Sequence, residues 1–61
     1  MKPQILVVDD EEAIRSLFKS LFPEDVYDVH AVEDGREALL LLNNADINVI
    51  FLDLKLFGMD G

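Results

Sequence analysis

Cysteine is absent from these 61 residues, which excludes disulfides and thiolate metal sites. A domain this small without such staples is expected in the cytoplasm rather than outside the cell. Cationic side chains are scarce: 5 Lys and Arg stand against 13 Asp and Glu, a net charge of −8. Phosphate-backbone binding needs clustered cations, so nucleic acid and anionic membrane are both disfavoured as direct ligands of this segment. Long apolar runs are missing too. None approaches the roughly 20 residues that a membrane span requires, and the opening MKPQILVVDD turns acidic too early for a signal peptide. No repeat, linker or low-complexity stretch divides the chain.

What is present reads as globular, with 51% hydrophobic residues arranged in runs long enough to make elements despite the charge. A chain of this length forms at most one small domain and buries only about 60% of the surface its unfolded form exposes. Its stability alone is marginal, which favours a partner or a missing remainder.

Ile5-Leu6-Val7-Val8 is short, continuously apolar and β-branched, the pattern of a strand buried on both faces, and it ends at Asp9-Asp10. From Glu11 the period changes. Ile14, Leu17, Phe18 and Leu21 recur at helical spacing, with Arg15, Lys19 and Ser20 between them, until Pro23 closes the segment. Residues 27–32, YDVHAV, alternate as a half-buried or edge strand does. Asp34-Gly35-Arg36-Glu37 has the spacing of a capping box before ALLLLNN, so a second helix is expected there, its leucines 39–42 core with one exposed side. Residues 43–46 read as a turn, Val49 to Leu52 as another fully apolar strand, and Gly58 and Gly61 as loop.

Strands alternating with helices in the order βαβαβ imply parallel pairing through right-handed crossovers. The two wholly apolar strands are expected to be central and the alternating one at the edge, giving the order 2-1-3, with a crevice at the carboxyl ends of strands 1 and 3. Asp9, Asp10 and Asp53 all fall at those ends. Asp53 terminates VIFLDLKL, where an unpaired ionised group is costly, so something positive should meet it. Converging carboxylates suit a hard divalent ion such as Mg²⁺, whereas the single His30 lies on another strand.

Together, ILVVDDEEAIR, AVEDGREAL and VIFLDLKLFGMDG resemble the first half of a response-regulator receiver domain, the flavodoxin-like α/β phosphoacceptor module of two-component signalling. The resemblance covers essentially the whole chain. It implies that Asp53 is the phosphoacceptor, taking a phosphoryl group from a histidine kinase or phosphotransfer protein. It also implies that Asp10 ligates Mg²⁺ (or Mn²⁺) directly, Asp9 largely through water, and Lys55 through its backbone carbonyl. Such a domain is a signalling module that assists its own phosphorylation rather than an enzyme acting on other substrates.

Two departures stand out. Phe57 occupies a loop position where the family usually has proline, and it cannot impose proline's fixed φ. The family also continues with two more strands and three more helices, which carry a Ser or Thr and a Lys that read the phosphoryl group. Residues 1–61 are therefore expected to be a truncated receiver domain, impaired in its switch, with strand 3 an unpaired apolar edge through which copies associate.

Other readings of the same residues stay open. Asp9 with Glu12 can be a capping box, and Asp53 can be a strand-end residue meeting solvent. The acid cluster can be idle in a self-associating scaffold. An aspartyl-nucleophile phosphotransferase fits less well, since a second acid is wanted where Lys55 stands. His30 is assigned no function, Asp34 and Glu37 are caps, and Phe51, Phe57 and Met59 are packing or interface residues.

Overall fold

The computed structural model describes residues 1–53. Phe57, Gly58, Met59 and Gly61 lie outside the described residues. Among those described, strands and helices alternate as β1 (Gln4–Val8), α1 (Glu12–Leu21), β2 (Asp28–Val32), α2 (Gly35–Asn44) and β3 (Val49–Leu52). The sheet has the order β2-β1-β3 with both pairings parallel, the arrangement of a flavodoxin-like α/β fragment.

β1 is central, and Ile5, Leu6, Val7 and Val8 are buried because both faces of the strand are covered. On one face Leu6 and Val8 pack with Ala38 of α2, joined by Val32, Leu41 and Ile47. On the other, Phe51 lies 4.7 Å from Phe18 and 5.7 Å from Phe22 between ring centroids, and Tyr27 meets Phe22 edge-on at 5.3 Å. Tilted and edge-on aromatic pairs of this kind each add about 0.5–1.5 kcal/mol beyond their burial. They tie the end of α1 to β3 and to the start of β2, and they make Phe51 a packing residue.

Pro23 stops α1 as its missing N–H requires. The residue before it, Phe22, is extended at φ −118 and ψ 93, and its own N–H closes the last turn on the Phe18 carbonyl at 3.1 Å. At the start of α2 the Asp34 carboxylate accepts from the Glu37 N–H at 2.9 Å, the forward half of the capping box. The helix then runs on through Asn43 and Asn44, which the sequence pattern placed in a turn. The alternative reading of Asp9 with Glu12 as a capping box is not realised at α1. The N-cap position is Glu11, and Asp9 Oδ1 instead accepts from the Glu11 N–H at 2.9 Å, two residues on, as an Asx-turn does.

The leucines of α2 also depart from expectation. Leu41 packs against the core, but Leu39, Leu40 and Leu42 are exposed, and Leu17 and Leu21 of α1 are exposed likewise. Each helix carries an apolar stripe wider than the strip of sheet it covers. Ile50 and Leu52 continue this exposed surface on the α2 side, where with Leu6, Val8, Ala38, Leu39 and Leu42 they line a groove of about 280 Å³. No helix among the described residues is long and apolar enough to cross a membrane.

Candidate functional site

Parallel register decides where the acids go. Val8 pairs with Leu52, so the next residue of each strand, Asp9 and Asp53, leaves the sheet beside the other, at neighbouring strand ends about 4.8 Å apart. Both backbones are held by one further rung of the ladder. Asp53 N–H donates to the Val8 carbonyl at 2.9 Å, and Asp9 N–H donates to the Val32 carbonyl of β2 at 3.0 Å. Asp10 follows on the loop to α1. Asp9 and Asp53 are half-buried and Asp10 is exposed.

The structure thus brings together the three carboxylates picked out in the sequence: each offers an oxygen, and these oxygens all lie within 4.8 Å of one another. Oxygens sharing one Mg²⁺ at about 2.1 Å sit roughly 3–4 Å apart, close to the separation found here. With oxygen donors alone it fits a hard divalent cation and not a soft one. Lys55, whose carbonyl completes the expected set, lies outside the described residues.

Beneath the acids is a cleft of about 350 Å³ whose floor is Val7, Ile14, Phe18, Phe51 and Leu52. Charge placed above such a floor is screened less than in open water, which strengthens its attraction to a cation. A wider depression of about 660 Å³, lined by Met1, Lys2, Gln4, Asp28 and Asn48, lies at the opposite, amino ends of the strands, and the acid trio takes no part in it. A second acidic group, Glu33, Asp34 and Glu37, is fully exposed, and its central carboxylate is engaged as the cap of α2.

Two features escaped the sequence reading. His30 is half-buried on β2 with Nε2 at 2.6 Å from Gln4 Oε1, while Gln4 Nε2 donates to Asp28 Oδ2 at 2.9 Å. That network lies along the sheet, away from the acids, and leaves His30 without a part in the site. The second is Arg15, which had been placed only on the polar side of a helix. Its Nη1 donates to the Asp9 carbonyl oxygen at 2.9 Å. The one available signal was a cation six residues after Asp9 in a chain with few cations.

A parallel sheet in the order 2-1-3 with three acids at the carboxyl ends of adjacent strands is a doubly wound α/β module, and the family model described as the response regulator receiver domain matches residues 5–61. The chain belongs to that family. It is 41% identical over 59 residues to the aerobic respiration control protein ArcA of Escherichia coli strain K12, covering 97% of this chain and 25% of that protein. It is 39% identical over 61 residues to the transcriptional regulatory protein SrrA of Staphylococcus aureus strain NCTC 8325, covering 100% of this chain and 25% of that protein. The chain thus spans about a quarter of the length of these curated relatives. No solved structure gives a significant match.

Proposed function

We propose that residues 1–61 act as the amino-terminal half of a receiver domain, accepting a phosphoryl group on Asp53 from a histidine kinase or phosphotransfer protein in the cytoplasm. The observation that carries this reading is the meeting of Asp9, Asp10 and Asp53 within 4.8 Å at the ends of adjacent strands, in a chain of the receiver family.

Asp53 is the group aimed for attack. Its backbone is fixed by the Val8 carbonyl, which places the Cα from which its carboxylate projects at the cleft. A carboxylate oxygen forms the new O–P bond as the P–N bond of the donor phosphohistidine breaks, and the departing imidazole keeps the electron pair and takes up a proton. Asp10 and Asp53 would hold the Mg²⁺ or Mn²⁺ directly and Asp9 largely through water, its Oδ1 being engaged by the Glu11 N–H, with the Lys55 carbonyl as the family's further ligand. The ion, when bound, neutralises charge on the transferred oxygens and on the acids themselves. Tested as residues 1–61 alone, without the Ser or Thr and the Lys that the family uses to read the phosphoryl group, the transfer is expected to be slow and the switch impaired.

A second reading rests on a different observation. Val49, Ile50 and Leu52 of β3 are 45%, 46% and 47% exposed, an apolar edge strand with no strand on its outer side among the described residues. Such an edge favours pairing with another copy, in a scaffold whose acid site is idle. Incubation with a small phosphodonor and Mg²⁺, followed by intact-mass measurement of wild type and Asp53→Asn, separates the two. A gain of one phosphoryl group in wild type alone supports the phosphoacceptor, and no gain in either after prolonged incubation, together with association in sedimentation, supports the scaffold.

A further inference from the structure

We propose that Arg15 is a positioning residue for the cation site: by holding the Asp9 carbonyl it fixes the loop that presents Asp9 and Asp10 to the ion. The inference rests on the metal-site reading of the three acids. Asp9 is the hinge of that loop, and three bonds restrain it. Its N–H is tied to β2 through the Val32 carbonyl, its side-chain Oδ1 to the Glu11 N–H, and its carbonyl to α1 through Arg15 Nη1 at 2.9 Å.

The last of these matters most for Asp10. The Asp9 carbonyl lies in the rigid peptide plane from which the Asp10 Cα emerges, so whatever holds that oxygen sets the direction in which Asp10 leaves the sheet. Arg15 is itself half-buried, one turn into α1, so the helix that follows the loop clamps the loop that precedes it. Asp10 is exposed, and Arg15 supplies order that burial does not.

A permanent cation close to the acids also acts through its charge, and the two effects have opposite sign. Coulomb repulsion alone predicts that removing Arg15 tightens binding of a divalent cation. Loss of positioning predicts that it weakens binding, as changes to groups that orient metal ligands do.

Mn²⁺ titration of the full chain, followed by calorimetry and by amide resonances, distinguishes them in wild type, Arg15→Lys and Arg15→Met. The expected order of affinity is wild type, then Lys, then Met. Lys keeps the charge but offers a single point donor on a flexible stem, and a drop of about two- to threefold is expected, against about tenfold for Met. In the metal-free protein the amides of Asp10 and Glu11 should shift in both variants. Equal or tighter binding by Arg15→Met overturns the proposal. Should that variant fail to fold, Arg15→Lys decides alone, and an affinity equal to wild type overturns it. Wild type that binds no Mn²⁺ removes the metal-site reading itself, whereas wild-type binding that the variants leave unchanged removes only the role of Arg15.

Discussion

Asp53 donates its backbone N–H to the carbonyl of Val8 at 2.9 Å, which makes the strand that precedes the Asp9–Asp10 pair the one that also anchors the acid of β3. The cluster is a consequence of parallel register at a single pair of strand ends. A one-residue slip of β3 would turn the Asp53 side chain to the opposite face and dissolve the site.

Metal binding should therefore need all three acids and not acidity in general. Asp10→Asn and Asp53→Asn are each expected to weaken Mn²⁺ binding by about tenfold. Glu37→Gln, in the exposed second cluster, should leave it unchanged. Amide shift titrations of the three variants check this, and equal losses in all of them would reduce the site to diffuse charge.

Phosphorylation of residues 1–61 alone by a small phosphodonor with Mg²⁺ should be slow or undetectable, and any gain should disappear in Asp53→Asn. Intact mass against time gives the rate. Fast, stable and stoichiometric modification of wild type would show that the Ser or Thr and Lys of the later family strands matter little to the transfer.

Stability should track the observed burial and not hydrophobicity along the chain. Leu6, wholly buried in the central strand, is expected to cost about 2–5 kcal/mol on substitution by Ala, whereas exposed Leu39→Gln should stay within about 0.5 kcal/mol. Asp34→Ala removes the cap of α2 and should cost about 1 kcal/mol. Urea denaturation orders the three, and a Leu39→Gln loss as large as that at Leu6 would mean that the exposed leucine face is covered in solution.

Association through β3 is the corresponding prediction for the surface. Sedimentation at micromolar concentration should show dimers or larger species, and Ile50→Lys, which puts a charge on the exposed edge and groove, should shift them towards monomer. A folded wild-type monomer whose melt is independent of concentration would rule this out.

Much of the chain could be read without coordinates because its local signals agree with one another. The run Ile5–Val8 is apolar on both faces and proves buried on both. Pro23 ends its helix, and Asp34 caps the next. Where reading failed, the missing information was nonlocal. Four consecutive leucines at 39–42 carry no mark to say which of them meets the sheet, and only Leu41 joins the partly buried residues packed on the Leu6–Val8–Ala38 core. Asp9 has an acid three residues on, which left a capping box open beside the metal reading, and its carboxylate accepts instead from the Glu11 N–H.

By itself, the sequence determined the alternation of strand and helix, since apolar period and punctuation by Pro, Gly and Asp are local properties of the chain. It also determined which acids end which strands. Only the tertiary structure decided that those strand ends meet, that Arg15 reaches back to the Asp9 carbonyl, and that apolar faces of α1, α2 and β3 are left exposed. Those outcomes depend on how one element lies against another. That is settled by packing and by backbone hydrogen bonds between residues as far apart as Val8 and Asp53, whose separation in the chain hides their proximity.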